Sequence, residues 1–196
     1  MRSTDYVVNL VMSIFIIVGV YQFYFWCQRN PVTEPRGLKL SIDDRIPYWP
    51  SWTWIYSFLY YPVILYINLI VDSPRHFNYI VLSYIVLLLA QMLFFVLFPV
   101  VTPDEWRSRN KKSCHSERFL AFVQKFDAPS NSFPSMHTSV AMLTAMHLYH
   151  SLGPWAFAFP ALIALSCLFT KQHFIADLPA GAVLGWLTFL LFRLMY

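Results

Sequence analysis

Two residues near the start of the last apolar stretch have the types and spacing of a catalytic pair. His173 and Asp177 are four residues apart, a spacing that places two side chains on one face of a helix. The carboxylate can then accept a hydrogen bond from one imidazole nitrogen, which leaves the other nitrogen unprotonated, as nucleophilic catalysis requires. The spacing therefore predicts that His173 is a nucleophile and that Asp177 supports it.

A second polar site opens the preceding apolar stretch. His137 follows Ser135 and Met136, and an imidazole in this position can act as general acid to a leaving oxygen. Backbone N–H groups in the first turn of a helix lack intrahelical partners and bind anions. We therefore predict that His137 is catalytic and that Ser135 and Met136 bind the anion.

Cations close to both histidines indicate which anion this is. Lys171 lies two residues before His173, and Arg107 and Arg109 lie in the long connection that precedes His137. The negative charge that spreads over a transferring phosphoryl group is stabilised by such a cationic clamp. The sequence thus predicts phosphoryl transfer, with Lys171, Arg107 and Arg109 as phosphate-binding residues.

The composition indicates that these residues lie at the edge of a membrane. The chain has 196 residues, of which 58% are hydrophobic and only 12% charged, whereas ordinary soluble domains carry about 25% charged residues. A net charge of +4 is too small and too dispersed for a nucleic-acid-binding surface, but it suits anionic lipid or phosphate. We expect an integral membrane protein that does not bind nucleic acid.

Six stretches are long and apolar enough to cross a bilayer, which takes roughly 20 residues of helix. Gly153 and Pro154 divide the longest apolar run into two of them, and the aromatic residues Tyr48 to Tyr56 are typical of rings at the headgroup level. We predict an all-α polytopic membrane protein, a single domain over residues 1–196 with six transmembrane helices in one bundle. The predicted spans are about 6–26, 51–71, 78–101, 134–152, 154–171 and 174–195.

The cysteines and the remaining histidines give no sign of a metal site. Cys27, Cys114 and Cys167 are widely separated and form no C-x-x-C pair, so neither a disulfide framework nor a thiolate metal site is indicated. His147 lies about 15 Å along a helix from His137, too far to share an ion. No metal ion and no cofactor are expected.

Two short patterns carry a family resemblance. Pro-Ser-Met-His ends at His137, and Ser166-Cys167 is followed by five residues and then by His173-x3-Asp177. These patterns resemble the P-S-G-H and S-R-x5-H-x3-D motifs of the type 2 phosphatidic acid phosphatase superfamily, membrane branch. The resemblance implies metal-independent phosphoryl transfer, in which His173 forms a phosphohistidine and His137 protonates the leaving alcohol.

The chain also departs from the pattern of that family. Met136 replaces the glycine, Cys167 stands where the arginine is expected, and no K-x6-R-P motif is found around residues 103–109. These departures, with the segments 44–50 and 127–137, make the chain similar to the branch that contains inositol phosphorylceramide and sphingomyelin synthases.

The resemblance and the residues together leave three functions open. The first is a membrane lipid phosphatase that hydrolyses a lipid phosphomonoester or diphosphate, and the second is a phosphotransferase that passes a lipid head group to a lipid alcohol. The third is a non-catalytic lipid-binding or transport protein. The expected partners are a lipid phosphate and membrane lipids, and the sequence does not give the oligomeric state.

The distribution of charge bears on orientation. With six spans, 11 of the 14 Lys and Arg residues lie on the face that carries the site, and the positive-inside rule alone would place this face in the cytoplasm. The resemblance implies the opposite face, because relatives mostly act on lipid phosphates at the outer side, and a phosphate site itself requires cations. We expect a multi-pass protein of the cell membrane with an extracytoplasmic active site.

Overall fold

The computed structural model describes residues 3–196, and within them the chain is built from helices without β-strands. Four short 3₁₀ or π segments (Ser41–Asp44, Pro50–Trp52, Ile55–Leu59 and Gly153–Phe157) supplement the α-helices. The α-helices are α1 (Ser3–Arg29), α2 (Tyr60–Ile70), α3 (Pro74–Leu97), α4 (Asp104–Ser108), α5 (His115–Phe126), α6 (Met136–Leu152), α7 (Ala158–Phe169) and α8 (Asp177–Met195).

Five helical segments within residues 3–196 are long and apolar enough to cross a membrane. Their outward side chains are large and apolar, for example Phe15 on α1 and Leu93 on α3, both more than 60% exposed. Such a surface suits hydrocarbon rather than water, and the prediction of an all-α polytopic membrane protein is confirmed. The segments are Ser3–Arg29, Pro50–Ile70, Pro74–Leu97, Met136–Phe169 and Asp177–Met195.

Two predicted boundaries move because of local capping. The third span begins at Pro74, earlier than residue 78, since Ser73 accepts a hydrogen bond from the backbone N–H of His76 and proline fits the first helical turn. The last helix begins at Asp177 rather than at residue 174. His173 therefore lies in the turn before the helix.

The segment Met136–Phe169 changes direction at its middle. Gly153 has a φ of 56° and ends α6, and Pro154 lies in the 3₁₀ turn that follows. Ala141 on α6 packs against Ile163 and Cys167 on α7, so the two helices run side by side in opposite directions. Because α7 alone has only 12 residues, the count of six separate crossings stays a prediction.

Helices α6 and α8 approach each other more closely than side chains normally allow. A Cβ atom on Gly181 would collide with the backbone oxygen of Ser135, and one on Gly185 would collide with the backbone oxygen of Ser139. Small residues four positions apart permit this close packing in membranes. The backbone N–H of Ser135 donates to the carbonyl of Asp177 at 3.0 Å, so the first turns of the two helices are held together.

The connections on this end of the bundle pack on one another. Val101 donates a backbone hydrogen bond to Arg36, and Ser132 donates one to Val100. The connection before α2 therefore lies against the connections before α4 and α6, at the end of the bundle that carries His137 and His173.

We expect the substitution Gly185→Ala to destabilise the protein by about 1–3 kcal/mol, because the added methyl group pushes α8 away from α6. Gly19→Ala on α1 is the matched control, since no atom lies within 4 Å of the added Cβ. The free energy of unfolding, measured by denaturant titration in detergent micelles, should fall for the first variant only. Equal stability of the two variants would contradict the tight α6–α8 contact.

Candidate active site

His173 and Asp177 meet through a turn and not, as predicted, along one face of a helix. The Nδ1 atom of His173 lies 3.2 Å from Oδ2 of Asp177, which also accepts a hydrogen bond from the backbone N–H of Phe174 at 2.9 Å. Because Asp177 starts α8, its carboxylate reaches back over the preceding turn. Both side chains are buried, Asp177 completely.

The surroundings of His173 fix which ring nitrogen carries the proton. Nδ1 also lies 2.9 Å from the backbone oxygen of Ser132. A carbonyl oxygen and a carboxylate can only accept hydrogen bonds, so Nδ1 is the donor to both. In the neutral ring, Nε2 then carries the free lone pair, which is the arrangement that a nucleophile needs.

His137 stands in the first turn of α6, opposite His173. The two ring centroids are 5.9 Å apart. Tyr56 packs on the ring of His137 at 4.4 Å and Tyr60 contacts it at 5.3 Å. Tyr56 is only 5% exposed, so its ring faces the interior of the protein and helps to hold the imidazole, while its place at the headgroup level stays a prediction.

The two histidines lie between an apolar cavity and a polar cleft. The cavity has a volume of about 540 Å³ and is enclosed mainly by apolar and aromatic side chains of α1, α2, α3, α5 and α6. The cleft is lined by both histidines and by Arg107, Asp127 and Gln172. This junction suits a molecule with a polar head and an apolar tail.

The polar cleft is narrow and contains unused hydrogen-bonding groups. Its volume of about 10 Å³ admits about one water molecule. The buried hydroxyl groups of Ser130 and Ser132 have no hydrogen-bond partner within residues 3–196. Buried polar groups are normally paired, so these hydroxyls are available to a bound molecule.

Two of the predicted phosphate-binding residues line these spaces. Arg107 lines the polar cleft, where its guanidinium also donates to the backbone oxygen of Gln124 at 3.2 Å. Met136 lines the apolar cavity. The geometry thus places one predicted cation next to the histidines.

The other three predicted ligands line neither the cavity nor the cleft. The Ser135 N–H already donates to Asp177, and the Ser135 hydroxyl accepts from Thr138. The ammonium of Lys171 donates to the backbone oxygen of Asp43 at 2.6 Å. Arg109 lines neither space, and the phosphate-binding roles of all three stay predictions.

Asp43 is a buried residue that sequence reasoning missed. Its carboxylate accepts backbone hydrogen bonds from Ile175 at 2.8 Å and from Leu40 at 2.7 Å. Together with the bond from Lys171, these contacts tie the connection before α2 to the turn that carries His173. The sequence gave no sign that Asp43 is buried and holds this turn, since its neighbour Asp44 is an exposed aspartate.

Gln91 is a second residue that the sequence did not single out. Its side-chain N–H donates to the backbone oxygen of Pro134 at 2.9 Å, immediately before Ser135. A fully buried amide within an otherwise apolar span was the available signal, since polar groups in membrane helices are costly.

Asp127 closes one side of the cleft. Its carboxylate accepts hydrogen bonds from Tyr24 at 2.9 Å and from Gln28 at 2.8 Å. Burial nevertheless raises the pKa of Asp127 above its ordinary value, and the bonds from these two residues oppose the shift. The carboxylate thereby links α1 to the site.

Cys167 on α7 completes the surroundings of the two histidines. One ligand atom each of His137, Cys167 and His173 lies within 4.8 Å of the others. The wide spacing of these residues in the sequence gave no indication of this group.

Comparison with known proteins agrees with the motifs. The family model of the PAP2 superfamily matches residues 48–191, which include His137, His173 and Asp177. No curated protein and no solved structure matches the chain significantly, and the similarity to the inositol phosphorylceramide synthase branch stays a prediction. Because the match covers most of its length, the chain belongs to the PAP2 superfamily.

Proposed function

We propose that this protein is a metal-independent membrane lipid phosphatase that hydrolyses a lipid phosphomonoester or diphosphate through a phosphohistidine. Membership of the PAP2 superfamily supports a phosphatase-type activity. The observation that carries the proposal is the position of His137 and His173 where a large apolar cavity meets a polar cleft.

In the first step, Nε2 of His173 attacks phosphorus and the bond from phosphorus to the lipid oxygen breaks. His137 donates its proton to that oxygen, so that the lipid leaves as an alcohol or as a monophosphate. The hydrogen bonds from Nδ1 to Asp177 and Ser132 stabilise the positive charge that develops on the ring.

In the second step, water attacks the phosphohistidine and inorganic phosphate is released. His137, now without its extra proton, accepts a proton from the water. Nε2 of His173 regains its lone pair, and the site returns to its starting state.

The phosphate is held by groups of the polar cleft. Arg107 supplies the positive charge, and the hydroxyls of Ser130 and Ser132 supply hydrogen-bond donors. Since the cleft admits only about one water molecule, its side chains must move apart when a phosphate binds.

The apolar cavity accommodates the lipid tail. It extends from His137 and Tyr56 to Asn68 near the far end of α2, and twelve residues of helix separate Tyr56 from Asn68 by roughly 18 Å. This distance exceeds half of a hydrocarbon core about 30 Å thick. The cavity is therefore long enough for a tail that spans one leaflet.

His173→Ala should lower phosphate release from a lipid phosphate in detergent by roughly 10³-fold or more, because it removes the nucleophile. His137→Ala should impair alkyl phosphates more than nitrophenyl phosphates, whose leaving group needs no proton. His150→Ala is the matched control, because His150 is an exposed histidine on α6, the helix that also carries His137.

Three outcomes of that assay would contradict the proposal. Loss of phosphatase activity in excess chelator, with recovery when a divalent ion is added back, would exclude the metal-independent mechanism. Transfer of the head group to labelled diacylglycerol or ceramide without phosphate release would indicate the phosphotransferase. No turnover of any lipid phosphate by the parent protein would indicate a non-catalytic lipid-binding protein.

Ile64→Trp should narrow the cavity, which Ile64 lines, and displace part of the tail. Excluding two methylene groups costs about 1.6 kcal/mol, so kcat/KM for a long-chain lipid phosphate should fall more than tenfold. A short-chain phosphate that does not reach Ile64 should be unaffected. Leu69→Trp, on the lipid-facing side of the same helix, is the control, and equal losses on both substrates would contradict a tail site.

We also propose that the site faces the outside of the cell membrane. In a Cys114→Ser background, which removes the exposed cysteine, Lys39→Cys lies at the active-site end and Arg75→Cys at the opposite end. An impermeant thiol reagent should label only the cysteine at position 39 in intact cells. Labelling only at position 75 would reverse the orientation.

A further inference from the structure

His137, Cys167 and His173 lie close together, but the proposed reaction uses only the two histidines. The thiol of Cys167 takes no part in it, although the side chain is fully buried beside the two reacting imidazoles. Two imidazoles and one thiol are a typical ligand set for a transition-metal ion.

We propose that His137, Cys167 and His173 bind a thiophilic divalent ion such as Zn²⁺, and that this ion inhibits the enzyme by occupying the nucleophile. Binding itself is independent of the proposed function, and only the inhibition depends on it. The ion is a reversible inhibitor and takes no part in phosphoryl transfer.

The distances fit a metal ion after small side-chain movements. Zinc bonds of about 2.0–2.1 Å to nitrogen and about 2.3 Å to sulfur place tetrahedral ligands roughly 3.3–3.5 Å apart. The three ligand atoms lie within 4.8 Å of one another, so each pair has at most about 1.5 Å to close.

The polar cleft reaches the two histidines of the proposed ion site and has room for a water as the fourth ligand. His137 and His173 line a space of about 10 Å³, which holds about one water molecule. A metal ion is smaller than a phosphate and therefore requires less widening of this space.

The second shell of such a site is already in place at His173. Its Nδ1–H donates to Asp177 at 3.2 Å and to the carbonyl of Ser132 at 2.9 Å, as metal-bound histidines commonly donate to carboxylates and carbonyls. With Nδ1–H engaged in this way, Nε2 is the nitrogen of His173 that is available to an ion. The same lone pair attacks phosphorus, so metal and substrate exclude each other.

Ion binding needs no redox partner. The Cys167 thiol loses its proton to solvent as the sulfur–metal bond forms, and the two imidazoles bind as neutral ligands. Because thiolate and imidazole ligands select zinc-like ions over Mg²⁺ and Ca²⁺, the latter two should not inhibit.

The test uses the full chain in detergent with Cys27→Ser and Cys114→Ser as background, so that Cys167 is the one remaining thiol. Co²⁺ is the spectroscopic probe, and Zn²⁺ is titrated in the phosphatase assay. We expect one Co²⁺ per chain, with a thiolate-to-cobalt absorption band in the near ultraviolet. Cys167→Ser in this background should abolish the band and raise the inhibitory Zn²⁺ concentration at least about tenfold, while activity without Zn²⁺ is retained.

Each outcome is distinguishable from failure of the proposed function. If no lipid phosphate is turned over, the cobalt band still tests the ion site. Absence of the band in a folded background protein, or equal Zn²⁺ inhibition with and without Cys167, would overturn the proposal. Cys167→Ala serves as the second variant if Cys167→Ser does not fold, and its melting curve reports on folding.

Discussion

The site depends on the close approach of α6 and α8. Gly181 and Gly185 let the α8 backbone approach that of α6 so closely that a single methyl group would collide with it. The hydrogen bond from Ser135 to the carbonyl of Asp177 then aligns the two helix starts. As a result, the imidazole of His137 on one helix and the carboxylate of Asp177 on the other face a common turn, where His173 lies.

In this geometry, the imidazoles of His137 and His173 lie between an apolar cavity and a polar cleft. The cavity on one side is enclosed mainly by apolar and aromatic side chains, and the narrow polar cleft on the other offers no room for a tail. An amphipathic molecule therefore has one favourable orientation, and in the proposed reaction its phosphorus lies between the histidines. Positioning of this kind supplies a large part of the rate enhancement in phosphoryl transfer.

Much of this arrangement follows from the sequence, because hydropathy identifies the apolar helices, and ionisable residues at the ends of these helices indicate the candidate reacting groups. Lys171 and Asp43 show where such reasoning stops. Lys171 has the right charge and position for a phosphate ligand, but its ammonium is bound by a backbone oxygen 128 residues away in sequence. No local pattern reports such a contact, and the same holds for Gln91 with Pro134 and for Tyr56 with His137. The turn at His173 differs from the predicted helix for a related reason, since the Asp177 carboxylate accepts a hydrogen bond from the backbone N–H of Phe174 and so stabilises a turn before α8.

Helix α1 differs from the other helices that line the apolar cavity. It lies outside the residues matched by the family model, and Asn9 and Cys27 are its only buried residues within the described chain, yet it forms one wall of the apolar cavity. None of the proposed reacting groups lies on this wall, although Tyr24 and Gln28 of α1 hold Asp127 at the polar cleft. If the proposed function holds, exchange of the other α1 side chains that line the cavity would change the preference for hydrocarbon chains and leave the candidate catalytic residues in place.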